Sequence, residues 1–215
     1  ILLYGDPGTG KTESCLQISN QTGRDIFKVE ISSIKSKWFG DSEKLIKGIF
    51  DRYRKMVETY DLTPILFLNE CDGILGKRQV GGQSLVAQTE NAIQTLLLEN
   101  MERLDGILVA TTNLTANLDK AFERRFLYKI ELKKPDKETR CLIWKDKIPE
   151  LTDSDYKTLS DKFSLSGGQI ENISRKLVLK QILTGENMNL SQIMDLCQEE
   201  FLDKTGNMKR IGFLV

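Results

Sequence analysis

Hydrophobic positions fall into short unbroken runs and longer spaced series, and the two kinds alternate along the chain. ILLY at 1–4, ILFL at 65–68 and ILVATTN at 107–113 are too short for helices and apolar enough for buried strands. FKVEI at 27–31 and YKIEL at 128–132 alternate apolar and charged residues, as strands with one covered face do. Between these runs the apolar spacing widens to three and four. Leu45, Ile46, Ile49, Phe50 and Tyr53 predict a helix from Asp41 onward. Leu85, Ala92, Ile93, Leu96, Leu97, Met101 and Leu104 predict another over 85–104. This alternation predicts an α/β fold, a mostly parallel sheet with helices on both faces. After Lys133-Lys134-Pro135-Asp136 the strand-like runs stop, and residues 137–204 carry helical spacing only. The expected organisation is an α/β domain over 1–134 and a small all-α domain over 135–215. Gly81 and Gly82, between Ile74 and Ser84, read as a mobile loop.

Composition narrows the chemistry. The 215 residues are 40% hydrophobic and 29% charged, ordinary values for a soluble globular protein. The 31 basic residues balance 31 acidic ones, so no net field draws the chain to nucleic acid or a membrane. No apolar run reaches the length of a membrane span, and the first residues lack a signal peptide's layout. Cys15, Cys71, Cys141 and Cys197 are scattered with no CxxC, which gives no zinc site and reads as reduced thiols of a cytoplasmic protein. The chain has no histidine, which removes Ser-His and Cys-His nucleophilic chemistry. Catalysis must then rest on carboxylates, Lys, Arg, hydroxyls and a bound cation. Ile1 already lies in a strand-like run, so the chain reads as a fragment lacking upstream sequence.

Two motifs supply that chemistry. GDPGTGKT, Gly5 to Thr12, fits G-x-x-x-x-G-K-[ST] without a departure, with a strand before it and a helical pattern after it. Backbone N–H groups of such a loop wrap nucleotide phosphates, in conformations and close approaches that glycine permits. The helix that follows adds its positive end. Asp6, Pro7, Gly8, Thr9, Gly10, Lys11, Thr12 and Glu13 form the expected cradle, with Lys11 reaching the β- and γ-phosphates and Thr12 binding Mg²⁺. The guanine-reading NKxD string is absent; the nearest is Asn117-Leu118-Asp119-Lys120, which argues against a GTPase. The second motif is ILFLNECD, residues 65–72, a buried strand ending in Asn69, Glu70 and Asp72. Ligands of parallel sheets sit beyond the carboxyl ends of strands, which directs Asn69 and Glu70 toward the phosphates. Glu70 suits orientation and deprotonation of an attacking water, and Asn69 occupies the position of a metal-holding acid without its charge.

With these residues in view, the chain resembles an AAA ATPase of the AAA+ class, of a prokaryotic type with Asn in place of the Walker B Asp. GDPGTGKT is similar to the family's Walker A motif and ILFLNECDGIL to its Walker B motif. The resemblance implies a P-loop NTPase sheet followed by a helical lid, with ATP and Mg²⁺ as cofactors. VATTN resembles the sensor 1 strand, which implies that Asn113 lies beside the γ-phosphate. LDKAFERRF resembles the end of the second region of homology, which implies that Arg124 and Arg125, expected on a loop, are arginine fingers acting in trans. SGGQIENISRKL, 166–177, resembles the start of the sensor 2 helix and implies Gly167 and Gly168 against adenine and ribose; Arg175 reads as structural. SKWFGDSEK, 36–44, resembles the central pore loop, with Trp38 and Phe39 gripping a polypeptide client threaded through a hexameric ring of identical subunits. An Mg²⁺-dependent protein remodeller or unfoldase, slowed by Asn69, is the implied function. An ATP-gated assembly switch or scaffold with little hydrolysis is the alternative, and a DNA-linked motor a third reading disfavoured by the balanced charge.

Overall fold

A computed structural model describes residues 1–31, 42–76, 85–114, 118–185 and 189–202. Its contacts divide the chain into two compact units, Ile1–Lys133 and Lys134–Val215. Trp38 and Phe39, expected in a pore loop, and Gly81 and Gly82, expected in a mobile loop, lie outside the described residues.

The first unit holds five strands, β1 (Leu2–Tyr4), β2 (Ile26–Glu30), β3 (Ile65–Asn69), β4 (Ile107–Thr112) and β5 (Lys129–Glu131). They form one parallel sheet in the order β2-β3-β4-β1-β5. Every residue of β3 is buried, as a central strand's unbroken apolar run requires. The helices of this unit are α1 (Lys11–Thr22), α2 (Ser42–Thr59), α3 (Asp72–Leu75), α4 (Leu85–Glu102) and α5 (Lys120–Arg125). Sequence periodicity locates α2 and α4 through the apolar faces that carry Ile46, Phe50, Tyr53, Ile93 and Leu97, all buried. Tyr53 also fastens α2 to the sheet: its hydroxyl accepts from the Ile107 N–H at 2.8 Å and donates to the Pro64 carbonyl at 2.8 Å. Two expectations need correction. The alternation in YKIEL predicts a covered face, yet all three residues of β5 are exposed: β5 pairs with β1, and among the described residues none of its side chains joins a hydrophobic core. Arg124 and Arg125 close the short helix α5, which Asp119 caps through a bond from the Ala121 N–H, and do not lie on a loop.

The sheet separates two cores, and the two-residue period of a strand decides which side chain joins which. Ile65 and Phe67 of β3 and Val109 of β4 pack with Leu3 and with Cys15 of α1. Leu66 and Leu68 of β3 and Ala110 of β4 face the opposite side, among Ile46, Phe50, Ile93 and Leu97. Burial of each large apolar side chain contributes about 1.5–3 kcal/mol relative to exposure. Carried two residues further, the same alternation places Glu30, Asn69 and Thr111 on the α1 side and Thr112 on the other.

The second unit consists of α6 (Lys137–Lys147), α7 (Asp153–Lys162), α8 (Gly167–Thr184) and α9 (Leu190–Leu202). Its core gathers Trp144, Tyr156, Leu159, Phe163, Ile170, Ile173, Ile193 and Cys197. Asp136 caps α6, and reciprocal capping boxes open α7 (Thr152 with Asp155) and α8 (Ser166 with Gln169).

Candidate nucleotide site

The loop between β1 and α1 needs its glycines. Gly5, Gly8 and Gly10 have φ of 141°, 76° and 92°, in the region L side chains avoid. A Cβ on Gly5 would also lie 2.3 Å from the Leu132 carbonyl oxygen. Asp6, Pro7 and Gly8 are exposed at the rim. Gly10 caps α1 with no side-chain bond, leaving the first-turn N–H groups to the loop mouth. Lys11 is folded back into the loop: its Nζ donates to the Gly5 and Asp6 carbonyls at 2.9 and 2.7 Å. Burial lowers its pKa, against the opposing pull of the Asp72 and Asp6 carboxylates. Glu13 is exposed in the first turn and accepts from Gln17 at 2.6 Å.

On the α1 side of the sheet, polar side chains converge on Asn69, which is 6% exposed. Its Oδ1 accepts from the Thr12 hydroxyl at 3.1 Å and from the Thr111 hydroxyl at 2.9 Å. Its Nδ2 donates to Glu30 Oε2 at 3.0 Å. Thr111 in turn accepts from the Glu70 N–H at 3.0 Å. The structure thus joins the phosphate loop's Thr12 to the polar end of β3 by a direct bond.

On the opposite side lies an acid whose role the sequence does not announce. Asp72 Oδ1 accepts from the Thr112 hydroxyl and the Asn113 N–H, each at 2.6 Å, and Oδ2 accepts from Asn113 Nδ2 at 2.8 Å. Burial opposes ionisation of this carboxyl, but those three donors and the Lys11 charge outweigh it and hold it below the ordinary aspartate range. Asp72 therefore fixes both the backbone and the amide of Asn113. The available signal was the second acid of NECD, two residues past Glu70 and at the first position of α3. Asp72→Ala would strand these donors, at an expected cost of about 2 kcal/mol in unfolding free energy. Urea denaturation reads it, and a cost below about 0.5 kcal/mol, the level of an ordinary surface change, contradicts the clamp.

Glu70 leaves β3 at φ 54°, the one positive value of a non-glycine among the described residues. Its backbone is held by Thr111, and its side chain is exposed. Strained backbone of this kind concentrates at functional sites, where surrounding bonds over-determine it. Of the two arginines, Arg125 pairs with Glu102 and also donates to the Ala121 carbonyl at 3.2 Å. Arg124 is exposed and has no hydrogen-bond or ion-pair partner among the described residues. Gly167 and Gly168 are the first two residues of α8, half-buried behind the Ser166–Gln169 capping box. Arg175 pairs with Glu171 at 2.9 Å, one turn earlier on the same helix. All four cysteines are free thiols. Burial pushes Cys15 up to about 11 and Cys197 up to about 12, so neither is a reactive thiolate.

Among the described residues no group of three or more His, Cys, Asp or Glu could hold a metal. Thr12 and Asn69 offer two hard neutral oxygens 3.1 Å apart beside the phosphate loop. That donor set fits Mg²⁺, which takes few protein ligands and completes its shell with phosphate oxygens and water.

Comparison with known proteins agrees with this geometry. A family profile described as "ATPase family associated with various cellular activities (AAA)" matches residues 1–134. The chain is 32% identical over 190 residues to vacuolar protein sorting-associated protein 4 of Dictyostelium discoideum, covering 85% of this chain and 41% of that protein. It is 30% identical over 199 residues to a katanin p60 ATPase-containing protein of Xenopus tropicalis (the A-like 2 form), covering 85% and 35%. Protein CdcH of Halobacterium salinarum is 31% identical over 192 residues, covering 85% and 25%. The chain thus spans less than half the length of each of these relatives. Among solved structures, the FIGL-1 AAA domain superposes with a TM-score of 0.73 at 21% identity, covering 94% of this chain and 74% of that one. The same domain in complex with ADP gives 0.69 at 22% identity, covering 97% and 73%. No helix among the described residues is long and apolar enough to cross a membrane.

Proposed function

The chain belongs to the AAA family of ATPases, and from that premise we propose that it is a module that binds ATP with Mg²⁺ and hydrolyses it slowly to ADP and phosphate. The observation that carries this reading is the bond from Thr12 to Asn69, which brings the glycine loop and the end of β3 to one point with Glu70 as the next residue. Gly5 to Thr12 cradles the phosphates, and Lys11 exchanges the Gly5 and Asp6 carbonyls for β- and γ-phosphate oxygens. Thr12 and Asn69 would hold Mg²⁺. When bound, the ion would neutralise phosphate charge. Glu70 orients and deprotonates the attacking water, and Asn113, fixed by Asp72, fastens that water or the γ-phosphate.

Resemblance to the family supports the remaining roles of this proposal. Arg124 and Arg125 reach the nucleotide of an adjoining copy, Gly167 and Gly168 line the adenine and ribose, and the helical unit acts as a lid. Trp38 and Phe39 grip a polypeptide client in a ring, hexameric by resemblance, in the cytoplasm. Relatives named for vacuolar protein sorting and for katanin support protein remodelling as the output.

One observation favours a second reading. Asn69 is a neutral amide tied into three hydrogen bonds, which suits a protein that binds ATP as an assembly switch and scarcely hydrolyses it. Asn69→Asp separates the two. Measured at saturating ATP and Mg²⁺, where affinity no longer limits the rate, a rise in phosphate release of about 10-fold, the scale on which groups around a metal act, marks a working ATPase limited by its amide. Absence of detectable release from both the assembled native protein and the variant supports the switch.

A further inference from the structure

Glu30 ends β2 directly opposite Asn69 in the parallel register of β2 and β3. Its Oε2 accepts from Asn69 Nδ2 at 3.0 Å, while its Oε1 pairs with Lys28 at 2.6 Å. Paired with Lys28, Glu30 is a carboxylate anion, as an ordinary glutamate is at neutral pH. An ionised carboxylate only accepts, so the amide of Asn69 must turn its nitrogen to Glu30 and its oxygen to Thr12. Without that constraint the amide could flip and present N–H groups to the point where a cation binds.

We propose that Glu30 is a positioning residue of the magnesium subsite, fixing the Asn69 oxygen toward Thr12 and supplying from the neighbouring strand the negative charge that position 69 lacks. This rests on the reading that the site binds nucleotide with Mg²⁺. The acid has in effect moved one strand across, and the Glu30–Asn69 pair carries one charge and one hydrogen bond between them. Exchanging the roles conserves both: in Glu30→Gln with Asn69→Asp, the Gln amide donates to the Asp carboxylate. Asn69→Asp alone opposes two carboxylates at the separation of the present bond, and Glu30→Gln alone leaves no charge on the pair.

The test is calorimetric titration of ADP into the 215-residue chain, with Mg²⁺ and with EDTA, for the native sequence, both single variants and the double variant. Thermal unfolding reports whether each is folded. Native protein should bind ADP more tightly with Mg²⁺. Glu30→Gln should shrink that gain about 10-fold, the usual scale for a partner of a metal ligand, with EDTA affinity unchanged. The double variant should recover the native gain, and Asn69→Asp alone should fall short of it. An undiminished gain in Glu30→Gln, an equal loss with and without Mg²⁺, or a double variant no better than Glu30→Gln overturns the inference. Failure of the native chain to bind ADP overturns the ATPase reading itself, and this inference with it.

Discussion

Glu70→Gln is expected to lower phosphate release by about 10³-fold while leaving ATP and ADP affinity within about twofold, because general-base removal acts on the chemical step and not on binding. The substitution preserves shape, so the strained turn at φ 54° and its support from the Thr111 hydroxyl should persist. The side chain lies outside the Asn69 and Asp72 networks, and its loss strands no buried partner among the described residues. Phosphate release and nucleotide titration on one preparation separate the two effects. Unchanged release would remove Glu70 from the mechanism. A parallel loss of affinity would show that it holds nucleotide and does not activate water.

Arg124→Ala is expected to reduce turnover by a similar factor, about 10³-fold, the scale on which an arginine finger acts. Its exposed guanidinium at the end of α5, without a hydrogen-bond or ion-pair partner among the described residues, suits a group that meets its target on another copy. Arg125 differs, because its pair with Glu102 ties α5 to the end of α4 within one chain. Arg125→Ala should therefore also lower thermal stability, whereas Arg124→Ala should not. Mixing gives the sharper test. Glu70→Gln chains carry an intact Arg124, and Arg124→Ala chains carry an intact Glu70. Neither variant turns over alone, but a mixture forms interfaces with both groups and should recover a fraction of native release. No recovery would mean that Arg124 acts within its own chain or not at all.

The sheet was legible because its strands are short apolar runs and its helices carry wide spacing, and the two periods do not mimic one another. The glycine loop between β1 and α1 was legible because its signal is contiguous, from Gly5 to Thr12. What was hidden is lateral. Periodicity tells which face a residue takes but not which strands are neighbours, so FKVEI gave no sign that Glu30 would lie against Asn69, 39 residues away. The exposure of β5 escaped as well, since alternation along a strand does not tell whether anything covers its face. Asp72 was visible as an acid, yet its role depends on Asn113, 41 residues on and reached only when β3 and β4 pair. The helix around Arg124 is too short for an apolar period; its signal was Asp119, a capping residue ahead of Lys120 and Ala121.

The central claim is that this chain hydrolyses ATP with groups from two copies meeting at one nucleotide. Phosphate release per chain, measured at saturating ATP and Mg²⁺ over a range of protein concentration, tests it directly. Release per chain should rise with concentration and level off as copies assemble. Release that stays constant with concentration, or remains at background at every concentration while ATP is bound, would contradict it.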